Sequence, residues 1–367
     1  MDTPPPLLHI DNLRAVKVLG KGATGTVFLV HDKSGGQPFA LKVAEKSSAH
    51  RRARHEISVL RRLPPHPFLP HLICSFEDDE FICWGIPFCP GGDLNVLRHR
   101  QSDRVFSPAV IRFYLAEIVC ALQHLHQQGI VYRDLKPENI LVQLSGHVTL
   151  TDFDLSRDLA VRKSHFYSHT IPKSNTRSRF ALGKKKAKSA RVSPVSRRNP
   201  IEDFSANERS NSFVGTEEYV APEMIRGDGH EFSVDWWALG VLAYEMLYGT
   251  TPFKGRNRKE TFRKILLARP EYIGKPDPLT GLIGELLEKD PTRRLGYWRG
   301  AAEIKEHRFF RGLRWELLTE VSRPPFLPSR DEPKEGGIDV KEHFRRMNLP
   351  PSPPPDGCRS DLSLAEF

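Results

Sequence analysis

Cysteine is scarce in this chain, and the five present make no pattern. Cys74, Cys83, Cys89, Cys120 and Cys358 form no CxxC pair and no Cys/His spacing of the metal-ligand kind. This excludes a disulfide framework and a thiolate zinc centre, and plain thiols in a reducing compartment are expected. The opening stretch MDTPPPLLHI has neither the basic start nor the apolar centre of a secretory signal. The longest apolar run, WWALGVLAYEML at 236–247, is too short to span a membrane and carries Glu245. No internal repeat is visible. With 39% hydrophobic and 27% charged residues, the chain reads as a soluble, intracellular globular protein. Its 367 residues suffice for a two-part domain with tails.

Charge is unevenly placed. The formal net charge is +10, and residues 156–211 hold 14 Lys/Arg against 4 Asp/Glu. The rest of the chain is balanced, so the basic character belongs to one segment and says nothing about the globular body. Residues 157–210 are rich in Ser, Arg, Lys, Pro and Asn. Such a stretch cannot bury enough surface to offset its ordering entropy, and disorder is expected there. The Pro-rich 350–355 reads as extended.

Between 13 and 90, short apolar runs alternate: AVKVLG, TVFLV, FALKV and FICWGI, with the turn-rich DKSGGQP between two of them. One helical stretch, AHRRARHEISVLRRL, interrupts and ends at Pro64 and Pro65. Residues 108–128 and 233–248 have helical periodicity, with Ser107-Pro108 and Ser233 as N-terminal signals. A small β-rich half followed by a mainly helical half is expected.

LGKGATGTV at 19–27 places Gly20, Gly22 and Gly25 before a β-prone run. A dinucleotide fingerprint would need a helix there, so a phosphate-cradling hairpin is the better reading. Lys42 stands inside the strand FALKV, where a lone lysine is usually an edge or surface residue; Glu56 on the next helix is an available counter-charge. VYRDLKPENIL at 131–141 is far more specific. Asp134 would accept the proton of a hydroxyl being phosphorylated, Lys136 would neutralise the transferring group, and Asn139 offers an amide oxygen to a metal. LTDFDLS at 150–156 adds Asp152, a hard oxygen ligand, and Asp154 at the place most protein kinases give to glycine.

Over 13–310 the chain resembles a eukaryotic protein kinase. DFD, the long insertion and NSFVGTEEYVAPE together resemble the plant AGC-group subfamily VIII serine/threonine kinases, UNICORN-like branch. The resemblance implies an α+β, bilobal fold with an N-terminal tail (1–12), a small β-rich N-lobe and hinge (13–90) and a larger helical C-lobe (91–310). The C-lobe would carry the disordered basic insertion 157–210 in its activation segment, and an AGC-type tail (311–367) would follow. It implies ATP lined by Leu19, Gly20, Lys21, Gly22, Ala23, Thr24, Gly25, Thr26, Val27, Ala40, Lys42, Glu56, Pro87, Cys89, Asp93 and Leu141, with Mg²⁺ on Asn139 and Asp152. Adenine would use the Pro87 carbonyl, which proline keeps, and the Cys89 N–H. Glu223 would pair with Arg294, Asp235 would hold the catalytic-loop backbone, and Thr216 would lie near Asp134. Trp236 and Trp237 read as core packing. RPPFLP at 323–328 and the terminal LAEF resemble a tail that docks an aromatic near the Glu56 helix, although Leu364 and Phe367 supply one aromatic where two are usual.

Asp154 then reads as a subfamily feature, tolerable because Asp accepts unusual backbone angles, though stiffer than glycine. Asp93, Glu138 and Glu245 match the acids that hold substrate arginines in basophilic relatives. Ser212 aligns with the activation-loop phosphosite, to be met by Arg133, Arg157 and Arg52. The insertion has three readings: attraction of 183–198 to anionic phospholipids, a nuclear address, or a solvated spacer. A cytoplasmic monomer, reaching the nucleus or plasma-membrane periphery, is expected, with an upstream kinase docking at the tail. Nucleic-acid binding is not expected, since the insertion has no interleaved aromatics. The competing class is a scaffolding pseudokinase, disfavoured because Lys42, Glu56, Asp134, Lys136, Asn139 and Asp152 are all present.

Overall fold

The computed structural model describes residues 12–22, 25–33, 35–159, 216–229, 231–321, 323–328 and 337–348. Ala23, Thr24, Ser212, Leu364, Phe367 and nearly all of the basic insertion lie outside the described residues. The chain forms two compact units, one from 1–57, 71–88 and 330–367 and the other from 58–70 and 89–329. The sequence reading drew a single break near 90. Residues 58–70 instead go with the second unit, where the Leu150 N–H donates to the Phe68 carbonyl at 3.1 Å and Gln143 Nε2 to that of Pro67 at 2.8 Å.

The smaller unit is built on an antiparallel sheet. Its strands are β1 (Leu13–Gly22), β2 (Gly25–Asp32), β3 (Phe39–Glu45), β4 (Cys74–Glu77) and β5 (Phe81–Pro87), in the order β1-β2-β3-β5-β4. α1 (Lys46–Arg62) follows β3 and stops before Pro64. The β4 segment CSFE escaped the sequence reading because it is short and half polar. Alternation along each strand separates two faces. Phe28 and Val30 of β2, Leu41 and Val43 of β3 and Cys83 of β5 form one buried face. Val27, Lys42 and Trp84 are lateral neighbours in register and stand on the other.

The larger unit begins with α2 (Leu94–His99), capped by the Asp93 carboxylate accepting from the Val96 N–H at 2.8 Å. α3 (Pro108–Gln127) is capped by Ser107 with proline in its first turn. By length and composition α3 is apolar enough to cross a membrane, but Leu115, Ile118, Val119 and Leu122 are buried in this unit's own core. Short strands follow: β6 (Ile130–Val131), β7 (Ile140–Val142), β8 (Val148–Leu150) and β9 (Arg157–Asp158), paired β6 with β9 and β7 with β8. Then come α4 (Pro222–Arg226), α5 (Ser233–Tyr248), α6 (Arg258–Leu267), α7 (Pro278–Leu286), α8 (Ala301–Glu306) and α9 (Leu318–Val321).

Helix α5 is apolar nearly all round and is buried accordingly. Trp237 stacks on Phe253 at 5.5 Å, and Gly296 leaves room for the Trp236 ring, so both tryptophans are core. Ser233 does not cap α5. Phe232 holds that place, and the Ser233 hydroxyl is buried with no hydrogen-bond partner among the described residues.

The smaller unit is completed from the far end of the chain by α10 (Val340–Asn348). Ile338 bridges to Ala15, its N–H donating to the Ala15 carbonyl at 2.8 Å. Val340 and Phe344, four residues apart and so on one helical face, enter the core on the Phe28 face. The Phe344 ring lies 4.9 Å from Phe81 and 6.2 Å from Phe28. The anchor expected from the terminal LAEF is outside the described residues. Among those described, the aromatic that docks is Phe344, and it docks on the sheet. The RPPFLP segment stays with the larger unit, where Phe326 lies 5.9 Å from Phe106.

Candidate active site

The loop between β6 and β7 is shaped by one carboxylate. Asp235, on the first turn of α5 and wholly buried, accepts from the Tyr132 N–H at 2.9 Å, the Arg133 N–H at 2.7 Å and His126 Nε2 at 2.8 Å. Arg133 has φ +69, a conformation unfavourable for a long side chain. The two amide bonds to Asp235 hold it there and so aim the next residue, Asp134. Asn139 closes the loop from the other end, its Nδ2 donating to the Asp134 carbonyl at 2.9 Å and to its Oδ2 at 2.6 Å. Lys136 Nζ reaches the same Oδ2 at 2.8 Å. Asp134 Oδ1 is buried and accepts nothing among the described residues. Burial lifts the Asp134 pKa to about 6, opposed by Lys136 and assisted by the charge of Asp152.

Tyr132 ties this loop to the segment that follows β8. Its hydroxyl donates to the Thr151 carbonyl, and its ring meets Phe153 edge-on at 5.4 Å. The Thr151 N–H donates to the Asn139 carbonyl at 3.0 Å. These bonds place Asp152, at φ +63, beside the catalytic loop. Ligand oxygens of Asp134, Asp152 and Asp154 all lie within 4.8 Å of one another. A hard-oxygen set with a buried orphan acceptor fits a hard divalent cation. Asp154 is not in the left-handed region, so the backbone tolerance invoked to explain it is not used. The sequence had marked Asp154 as a departure, and its place in this cluster is what that reading missed.

In the smaller unit, Lys42 lies in an interior strand with β2 and β5 on either side, not at an edge. Its Nζ is 2.7 Å from Glu56 Oε1, as the sequence suggested, and 5.8 Å from the Trp84 ring. Val27, Ala40 and Lys42 share the face opposite α10, as strand alternation requires. Thr26 does not join them. It pairs with Val43 on the Phe28 face and is buried, so only its backbone is available to a nucleotide. Gly20 and Gly22 have open space where a Cβ would stand, as a phosphate cradle needs. Gly25 is glycine for another reason: its φ is +144, and a Cβ there would collide with the Val43 carbonyl. Leu19 is exposed, Lys21 pairs in register with Thr26, and Pro87 ends β5. Cys89 belongs to the larger unit, and burial pushes its thiol up to about 12.

The acids assigned to substrate arginines are unequal. Glu138 is exposed and accepts from Asn95 Nδ2 at 3.1 Å. Asp93 caps α2 and bridges to Leu141. Glu245 already holds two internal donors, Arg98 Nη2 at 3.1 Å and the Tyr219 hydroxyl at 2.5 Å. It is therefore an acceptor shared with groups of the protein itself. Glu223 holds Arg294 through two bonds, at 2.6 and 2.9 Å. Arg133 Nε and Nη1 are buried without hydrogen-bond partners among the described residues, and Arg157 repels its charge. Thr216 opens a short 3-10 turn.

Residues 13–176 and 201–310 match the family described as protein kinase domain. Across its full length the chain is 58% identical to the serine/threonine-protein kinase UCN of Arabidopsis thaliana, covering 97% of that protein. It is likewise 58% identical to the serine/threonine-protein kinase UCNL of the same plant, covering 98% of it. Over 93% of the chain it is 46% identical to the Arabidopsis serine/threonine-protein kinase OXI1, of which 85% is covered.

Proposed function

The chain belongs to the protein kinase family, and we propose that it transfers the γ-phosphoryl group of ATP to serine and threonine hydroxyls of proteins, with Mg²⁺ as the working cation. The observation that carries this is the Asp134, Lys136 and Asn139 cluster beside Asp152. Asp134 takes the hydroxyl proton on its carboxylate. With a pKa raised to about 6 it is a stronger base than an ordinary aspartate, yet still ionised at neutral pH. Lys136, a hydrogen bond away from that carboxylate, offsets charge on the phosphoryl oxygens. Asn139 and Asp152 hold the cation, and bound Mg²⁺ would neutralise the phosphates. Lys42, kept in place by Glu56, supplies the fixed positive charge for the nucleotide.

Substrates with basic residues before the phosphosite suit the exposed Glu138, with Asp93 and Glu245 contributing. The buried nitrogens of Arg133, without hydrogen-bond partners among the described residues, and the nearby charge of Arg157 favour phosphate on Ser212 as the activating event. The lysines of 183–198 suit anionic phospholipids, which would bring a cytoplasmic or nuclear enzyme to the membrane edge. An upstream kinase docking on the C-terminal tail and action as a monomer complete the reading.

The test is incubation of the purified chain with labelled ATP, Mg²⁺ and a serine peptide carrying upstream arginines, beside Lys42→Arg. Label on serine in the wild type and its loss in the variant are expected. No turnover by the wild type would overturn the reading, and equal use of a neutral peptide would overturn the basic preference.

A further inference from the structure

We propose that Arg98 is a specificity-determining residue: its guanidinium occupies Glu245 from within the protein, so that recognition of substrate arginines falls to Glu138 and Asp93. This rests on the reading that basic residues before the phosphosite are preferred. It also narrows that reading, since Glu245 would serve a substrate only once Arg98 is removed.

The Arg98 guanidinium is held by four acceptors. Nη1 donates to the carbonyls of Arg104 and Gly249, each at 3.2 Å, and Nη2 donates to Asn95 Oδ1 at 2.9 Å and Glu245 Oε1 at 3.1 Å. The other carboxylate oxygen, Oε2, accepts from the Tyr219 hydroxyl at 2.5 Å. The side chains of Arg98 and Glu245 are only 7% and 13% exposed, so the pair is built into the unit and is not a surface contact. A carboxylate has about four lone-pair sites, so two donors do not by themselves close it. Charge does. Arg98 cancels the charge of Glu245, and a second guanidinium brought to the same carboxylate would lie beside the first with little water to screen their repulsion. Nor can Arg98 swing aside without cost, because two backbone carbonyls would lose their donor.

Glu138 differs in each respect. It is exposed, and it accepts from Asn95 Nδ2, a neutral donor, at 3.1 Å. Asp93 accepts from the Val96 N–H, a neutral donor as well. Both acids keep their charge for a cation from outside. The Asn95 amide bonds Arg98 through its oxygen and Glu138 through its nitrogen, so one side chain stands between the neutralised acid and the free one.

The experiment measures steady-state kinetics of the full-length protein with Mg²⁺, ATP and serine peptides in which arginine is walked, singly and in pairs, through the positions before the serine. Wild type is compared with Arg98→Met, Glu245→Gln and Glu138→Gln, each checked for folding by thermal melting. Burial raises the Glu245 pKa while the Tyr219 bond and Arg98 oppose the rise, so assays at about pH 8 keep Glu245 ionised once Arg98 is gone. Glu245→Gln should keep the wild-type KM ratio between arginine and neutral peptides within about twofold, whereas Glu138→Gln should weaken that ratio about tenfold. Arg98→Met should gain a new position at which arginine lowers KM about tenfold with kcat little changed. An Arg98 that only supports the fold would change all peptides alike and create no such position. Loss of arginine preference in Glu245→Gln as large as in Glu138→Gln would overturn the proposal and leave the basic preference intact. A folded Arg98→Met with the wild-type peptide profile would do the same; if that variant does not fold, the two glutamate variants decide. Equal use of arginine and neutral peptides by wild type would overturn the basic preference itself, and the proposal with it.

Discussion

Replacing Asp235 with asparagine changes almost no volume and removes one charge. The carboxylate is wholly buried and accepts three bonds, from Tyr132 N, Arg133 N and His126 Nε2. An amide supplies one acceptor oxygen and one donor nitrogen. If the oxygen takes the Oδ2 position, His126 and Tyr132 keep a weaker bond, while the amide nitrogen faces the Arg133 N–H, donor against donor. One buried N–H is then orphaned, at about 1–3 kcal/mol, and two charge-assisted bonds become neutral ones. The total is about 2–4 kcal/mol. At roughly 2–4 °C per kcal/mol for a unit of this size, the Tm should fall by about 5–15 °C. Because the next residue is Asp134, kcat should fall at least about tenfold, as misplacement of a catalytic group costs. Thermal melts and steady-state kinetics with Mg²⁺ and ATP read both quantities. A Tm within about 2 °C of wild type together with kcat within about twofold would refute the claim that Asp235 shapes the loop.

Phe344→Ala should destabilise the smaller unit by about 3–5 kcal/mol, since the ring sits in the sheet core beside Phe28 and Phe81; hydrogen exchange in β1 to β3 unchanged from wild type would contradict it. Glu223→Ala leaves the buried Arg294 guanidinium without its counter-charge and should cost about 3–5 kcal/mol in urea unfolding. Adding Arg294→Met should recover part of that loss, whereas strictly additive losses would count against the pairing. For Asp134, the folded pKa is raised, so ionisation there opposes folding above about pH 6 and costs nothing below the unfolded value. In metal-free protein, Asp134→Asn should therefore be inactive yet melt higher than wild type near neutral pH, the gap closing as pH falls through about 6. A gap that widens on acidification would show the sign to be wrong.

Much of the active site was legible because its spacing is local. Asp134, Lys136 and Asn139 lie within one loop, and chain connectivity alone keeps them together. Glu56 was readable as an available counter-charge for Lys42, and the pairing of Glu223 with Arg294 was expected from the family resemblance. Other features had no such local signal. Thr26 and Val27 look equivalent in sequence, and only the strand register puts one in the core and the other on the opposite face. That Arg98 and Tyr219, distant in the chain, each bond one oxygen of Glu245 follows only from the fold.

By itself, then, the order of residues determined the β-rich and helical halves and the loop that carries Asp134, Lys136 and Asn139, since these follow from short-range periodicity and chemistry. Tertiary structure alone decided that α10 completes the sheet core, that Arg98 and Tyr219 share Glu245 and that Asp154 comes beside Asp134. Each of these depends on where a separate stretch of chain arrives in space, and packing rather than sequence distance settles that.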